Sequence, residues 1–191
     1  MLQVDGESIA RGNGHMKHLV VAGVLSALVL PGPAAAQEVF AGAYAHEVDT
    51  PFSLPVGESG ADIAAGYRFG RIAALRIIGS PAPYLIASVN TAGDTSFAGA
   101  GLGWAIGKGP VYVRPAIGLV VHDGPARRLF QGRFADLGSR VLFEPEIAVG
   151  YRLDERLSLE ASWMHISQGQ LFNRRQNPGI DMIGARVNLR L

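Results

Sequence analysis

His165 and Ser167 stand one residue apart, and Asp181 follows inside the run Asn177-Pro178-Gly179-Ile180-Asp181. An imidazole, a hydroxyl and a carboxylate are the parts of a hydrolytic relay. Serine is a poor nucleophile until a base takes its proton, and the carboxylate holds the base in the right tautomer. The donors such chemistry needs for an oxyanion are backbone N–H groups just after the serine, at Gln168 and Gly169, with Asn177 as a side-chain candidate. The pattern H-x-S alone describes a polar pair at the rim of a sheet equally well. Asn177 before Pro-Gly is also an ordinary turn residue. The setting separates the readings. In a strand, residues two apart share a face. His165 and Ser167 then continue the row Leu157, Leu159, Ala161, Trp163, and Asp181 opens the row Ile183, Ala185, Val187, Leu189, Leu191. Both rows are apolar apart from these residues. Three polar groups at one end of a greasy surface point to a substrate that is itself greasy.

The elements that must position them alternate in polarity rather than follow helical spacing. Eight segments are predicted as strands: Val39–Glu47, Ala61–Phe69, Tyr84–Asn90, Phe97–Ile106, Val111–His122, Val141–Leu153, Leu157–Ser167 and Ile180–Leu191. Most have the length that a tilted strand needs to cross a bilayer. Gly107–Pro110 and Asp154–Arg156 make tight turns, whereas 48–60, 123–140 and 168–179 are long; Thr91–Ser96 is short, against that alternation. Short turns at one end and long loops at the other describe an all-β, eight-stranded antiparallel transmembrane β-barrel of outer-membrane type. Opposite the apolar rows stand Ser158, Glu160 and Ser162, Glu144, Glu146 and Arg152, and Gly184, Arg186, Asn188 and Arg190. A barrel of eight strands fills its interior with side chains, so these glutamates and arginines are expected to pair inside it. Pro115 and Pro145 fall within predicted strands and lack a ladder donor, so a bulge or local break is expected at each. The soluble alternative is a lipocalin-type barrel with the greasy face turned inward.

Composition agrees with a membrane wall. Charged residues make up 17%, below the roughly 25% usual in soluble domains. A formal net charge of +1 argues against nucleic acid as a partner. Cysteine is absent, which excludes disulfides and thiolate metal sites. Lys17 and His18 precede the apolar run Leu19–Leu30, then Pro31-Gly32-Pro33 and Ala34-Ala35-Ala36. That is the form of a secretory signal peptide over 1–36, cleaved before Gln37. Residues 1–15, ahead of a second methionine at Met16, read as an extension from a misplaced start codon. The barrel is expected over 37–191.

The segments Trp163-Met164-His165-Ile166-Ser167 and Asn177-Pro178-Gly179-Ile180-Asp181 resemble the lipid A 3-O-deacylases of the PagL family. Their pattern is H-x-S-N, a short loop, N-x-G-[I/L]-[E/D] and a closing strand. The resemblance is sharp over 140–191 and architectural before that. It implies an outer-membrane esterase of a Gram-negative bacterium that removes the 3-linked acyl chain of lipid A in lipopolysaccharide, without cofactor or metal. Ser167 would be the nucleophile, His165 the base and Asp181 the acid. Gln168 stands where the family often has Asn, Asp181 where its founding member has Glu, and the loop to the acid is longer.

Arg127, Arg128 and Arg133 in one long loop, and Arg174 and Arg175 in another, offer planar forks for the phosphates of lipid A; ordinary solvated charge is the alternative. Trp163 is assigned to an interfacial aromatic girdle, and His46 and His122 to the rim without a role. The rival functions are a structural or adhesive barrel without catalysis, and a different lipid-modifying barrel. The oligomeric state is left open, with a homodimer among the options.

Overall fold

A computed structural model describes residues 37–124, 136–172 and 177–191. The strands are β1 (Glu38–Ala45), β2 (Ala61–Arg68), β3 (Ala82–Asn90), β4 (Phe97–Gly103), β5 (Val111–His122), β6 (Val141–Arg152), β7 (Leu157–Ile166) and β8 (Ile180–Arg190). Each pairs antiparallel with the next, and β1 pairs with β8, so the sheet closes on itself. Closure leaves no unpaired edge, a condition for β-structure in lipid. Gln37 and Leu191 meet at one rim, where Leu191 N–H bonds Gln37 O at 2.9 Å. In outer-membrane barrels that rim is periplasmic, and the longer loops are outside.

The two faces are the reverse of a soluble barrel. Val149, Leu159, Ile183, Val187 and Leu189 point outward and are exposed, whereas Glu144, Glu146, Glu160, Arg186 and Asn188 are buried inside. This removes the lipocalin-type alternative. The expected interior pairing is present: Glu160 binds Arg114 Nε at 2.7 Å and Arg186 Nε at 2.5 Å, and Glu146 lies 2.6 Å from Arg186 Nη2. Much of the glycine content serves this crowded interior. A Cβ on Gly150 would sit 2.2 Å from the Tyr112 ring, and one on Gly66 2.2 Å from Phe40.

The prolines interrupt ladders without adding a residue. β4 and β5 pair up to Gly103↔Ala116, and the same register resumes as a bridge at Ile106↔Val113. Pro115 falls in the gap, and only its carbonyl is used, by Trp104 N–H at 2.9 Å. β6 and β7 likewise pair from Glu146↔Met164 and meet again at Phe143↔Ser167. Pro145 occupies that gap, opposite His165. Each is a local break, not a bulge.

One element departs from the sequence pattern. The β2–β3 connection at the periplasmic rim is long and carries a 3-10 helix, η1 (Ala73–Ile78), where the pattern marks no element.

Candidate active site

His165 and Asp181 are direct cross-strand partners on β7 and β8. Side chains of such a pair stand on one face about 5 Å apart, and here they meet, His165 Nδ1 to Asp181 Oδ1 at 2.9 Å. With the carboxylate accepting from Nδ1–H, Nε2 is left as the ring's basic nitrogen. Trp163, two residues earlier on the same face, donates its indole N–H to the same Oδ1 at 2.8 Å. Its place in the site is tighter than a girdle residue requires.

The other carboxylate oxygen is held from a part of the chain that the sequence reading left out. The β1–β2 loop, 46–60, lies across the outside of β8. Val48 N–H bonds Asp181 O at 2.9 Å, and Leu54 N–H bonds Pro178 O at 2.8 Å. Between these ties the Thr50 hydroxyl donates to Asp181 Oδ2, and the Ser53 side chain also bonds the carboxylate. Phe52 packs on Trp163 with ring centroids 5.3 Å apart. Asp181 therefore points toward the lipid-facing side yet is 0% exposed. An outward carboxylate without this roof would face hydrocarbon, at a cost of several kcal/mol or neutralisation. No local signal marks Thr50 or Ser53, because a hydroxyl in a Pro-rich loop reads as turn chemistry.

Ser167 lies just past the end of β7, held by a two-way backbone bridge to Phe143: Ser167 N–H to Phe143 O at 3.1 Å and Phe143 N–H to Ser167 O at 2.7 Å. It shares the outward face with His165. Among the described residues no hydrogen bond joins its Oγ to the imidazole; apo sites often hold such pairs apart until substrate is bound. After Ser167 the chain turns sharply, with Gly169 and Gln170 both at positive φ, 60° and 59°. Gln168 is fully buried. Its N–H donates to Asn177 Oδ1 at 3.0 Å, and its own Oε1 accepts Phe172 N–H at 2.8 Å. The Gln168 backbone donor is thus spent on Asn177, which ties the two ends of the loop. Among the described residues, Gly169 N–H and the Asn177 amide nitrogen make no hydrogen bond.

Gly179 packs directly against the imidazole. Its φ is 70°, and a Cβ there would lie 2.6 Å from His165 Cε1, so the imidazole sits where any larger residue would put a side chain. Arg127, Arg128, Arg133, Arg174 and Arg175 lie outside the described residues, as does the 1–36 segment. Among the described residues, no cluster of His, Asp and Glu is arranged to hold a metal ion.

His46 and His122 have more structure than a rim position implies. His46 is enclosed between Asp62 Oδ2, at 2.7 Å from Nδ1, and Glu58 Oε2, at 2.8 Å from Nε2. Glu58 also accepts from Thr95 Oγ1 at 2.6 Å and Thr95 N–H at 2.9 Å. This cluster pins both ends of the β1–β2 loop to the barrel mouth. Burial alone would lower the imidazole pKa, but the two carboxylates outweigh it and hold His46 at about 9. His122 Nε2 bonds Ser139 O at 2.6 Å.

A closed eight-stranded barrel, apolar outside and charged inside, defines the outer-membrane barrel class, here with a carboxylate–imidazole pair at its outer rim. The profile of the lipid A 3-O-deacylase (PagL) family matches residues 76–190, and the chain belongs to that family. Among solved structures, the crystal structure of the outer membrane enzyme PagL superposes with a TM-score of 0.55 at 17% identity, covering 81% of this chain and 99% of that one. Neisserial surface protein A gives a TM-score of 0.48 at 13% identity, covering 81% and 97%. The Yersinia pestis outer membrane protein Ail gives 0.45 at 11%, covering 82% and 99%. No curated protein matches by sequence.

Proposed function

We propose that this protein hydrolyses the ester at the 3-position of lipid A, with Ser167 as nucleophile, His165 as general base and Asp181 as the acid that orients it. The observation that carries the reading is the His165–Asp181 hydrogen bond on the lipid-facing side of the wall, with Ser167 two residues on. His165 Nε2 takes the Ser167 proton as Oγ attacks the acyl carbonyl. The tetrahedral oxyanion is met by Gly169 N–H and the Asn177 amide. The intermediate then collapses, and the sugar oxygen leaves with the proton held on Nε2. Water repeats the sequence on the acyl-serine, releasing the fatty acid and restoring the serine.

The site faces the leaflet where lipid A resides, so the substrate reaches it laterally; the interior, packed with Arg–Glu pairs, offers no route. Phe52, Leu54, Leu171 and Phe172 project from the flanking loops with most of their surface free, an apolar setting for acyl chains. The arginines of the 123–140 and 168–179 loops are proposed for the phosphates.

The test is mass spectrometry of lipid A incubated with the purified barrel. Wild type removes one 3-linked acyl chain, and Ser167→Ala, folded and inserted, removes none. Retained activity in Ser167→Ala overturns the nucleophile assignment. Loss of a phospholipid chain, with lipid A untouched, moves the protein to a different lipid-modifying class.

A further inference from the structure

The periplasmic rim carries a feature that neither the fold nor the proposed reaction uses. Its other two turns, 104–110 and 153–156, close β4–β5 and β6–β7 compactly. The β2–β3 connection instead builds η1 from Ala73-Ala74-Leu75-Arg76-Ile77-Ile78, and none of these residues is buried. Ile77 is 93% exposed and Ile78 52%. A segment with so much free apolar surface would ordinarily fray, yet this one is tied down throughout. Arg71 spans its base, bonding Ser80 O at 2.9 Å and Gly79 O at 2.8 Å. Ile72 N–H bonds Pro81 O at 2.8 Å, and Ser80 N–H bonds Leu75 O at 3.0 Å. The chain orders this segment without burying it.

Its position says what covers it. Trp104 donates its indole N–H to Ile78 O at 2.7 Å. On β4 the residues Phe97 and Gly103 are buried inside, so Ala100, Leu102 and, by the same alternation, Trp104 point to the outer wall. η1 is therefore fastened to the lipid-facing side of the rim, not folded across the barrel mouth. The wall beside it is aromatic: Tyr67 and Phe69, where β2 runs into this connection, form an edge-to-face pair at 4.8 Å. Aromatic residues gather where hydrocarbon meets headgroups, and a short apolar element with arginines at that level lies in the interface plane.

We propose that η1 is an interfacial anchor that seats Ile77 and Ile78 in the phospholipid leaflet on the periplasmic side, at the headgroup–acyl boundary. Arg76 is placed to meet lipid phosphates. The occupant is the bilayer because the surface continues, through Trp104 and Phe69, the apolar wall that the bilayer already covers. A seated η1 fixes the depth of one rim and so the height of the opposite rim, where the His165–Asp181 pair lies.

The absence of cysteine permits a clean test. Ile77→Cys, Val187→Cys on the mid-wall and Asp154→Cys on a tight turn are each labelled with an environment-sensitive fluorophore. The full mature barrel is reconstituted into phosphatidylethanolamine–phosphatidylglycerol vesicles brominated either near the headgroup or near the chain end. The Ile77 probe is expected to be quenched roughly twofold or more by shallow bromine and less by deep bromine, as for an interfacial element. The Val187 probe should prefer deep bromine, and the Asp154 probe should respond only to aqueous iodide. An Ile77 probe that behaves like Asp154 overturns the proposal. So does one shielded only as protein density rises, with no bromine quenching, since a second copy would then be the occupant.

Discussion

At the residue scale, the acid defines the site. Asp181 carries one methylene fewer than glutamate, so its carboxylate reaches less far from β8. It meets His165 because the two are cross-strand partners, and it is held there by Trp163 on one oxygen, by Thr50 on the other, and by the Ser53 side chain. Thr50 lies outside the family-matched region, which begins at residue 76. Its hydroxyl donates to a charged oxygen, an interaction worth about 1.5–3 kcal/mol. Thr50→Val keeps the shape and removes the donor. It should lower kcat about tenfold or more, at 1.36 kcal/mol per decade, with KM little changed. Thr50→Ser should restore most of the rate, and kinetics on lipid A in mixed micelles check both. If Thr50→Val retains full kcat, the loop covers the acid without orienting it.

At the scale of elements, the β1–β2 loop joins the site to the barrel mouth. Its tie at the far side is His46 between Asp62 and Glu58. The imidazole's folded pKa of about 9 lies above its ordinary 6.5. Its contribution is therefore complete below about 6.5 and is lost as pH rises through about 9. Glu58 is held below the usual carboxylate range: burial opposes this, but His46 and Thr95 outweigh it. Its contribution is lost instead as pH falls below that range. Limited proteolysis in the 46–60 loop should stay slow near neutrality and accelerate above about pH 9. In His46→Gln the alkaline step should disappear, because glutamine has no proton to lose. An alkaline step that survives the substitution would assign it to another group.

At the scale of the whole molecule, the fold inverts a soluble protein. The outer wall is stabilised by lipid contact and ladder closure, and the inside is held by a charge network around Glu160. That carboxylate meets Arg114, Arg186, Arg68 and the Tyr112 hydroxyl. Removing one member of a buried ionic group strands the others, at about 3–5 kcal/mol. Glu160→Gln should lower the barrel's stability by that order in urea unfolding from liposomes. The His165–Asp181 pair lies on the opposite side of the wall, so Glu160→Gln that still folds should keep its lipid A activity. A variant as stable as wild type would mean that water already screens the interior.

Much of this protein is determined by its sequence alone, because two-residue alternation is a local property. Eight strands, their faces, the inward carboxylates and arginines, and the shared face of His165 and Ser167 all follow from parity. The prolines, each lacking one N–H, mark for the same reason where a ladder must bulge or break. What parity cannot supply is register between strands and the path of loops. The pairing of His165 with Asp181 depends on how β7 and β8 align, and the roof of Thr50 and Ser53 depends on a loop more than a hundred residues away in sequence. His46 between two carboxylates, Gln168 N–H on Asn177, and η1 against Trp104 are contacts of the same kind. The Thr50 contact exists only once β8 closes onto β1, and the others only once each loop has taken its path, and so the tertiary structure alone decided them.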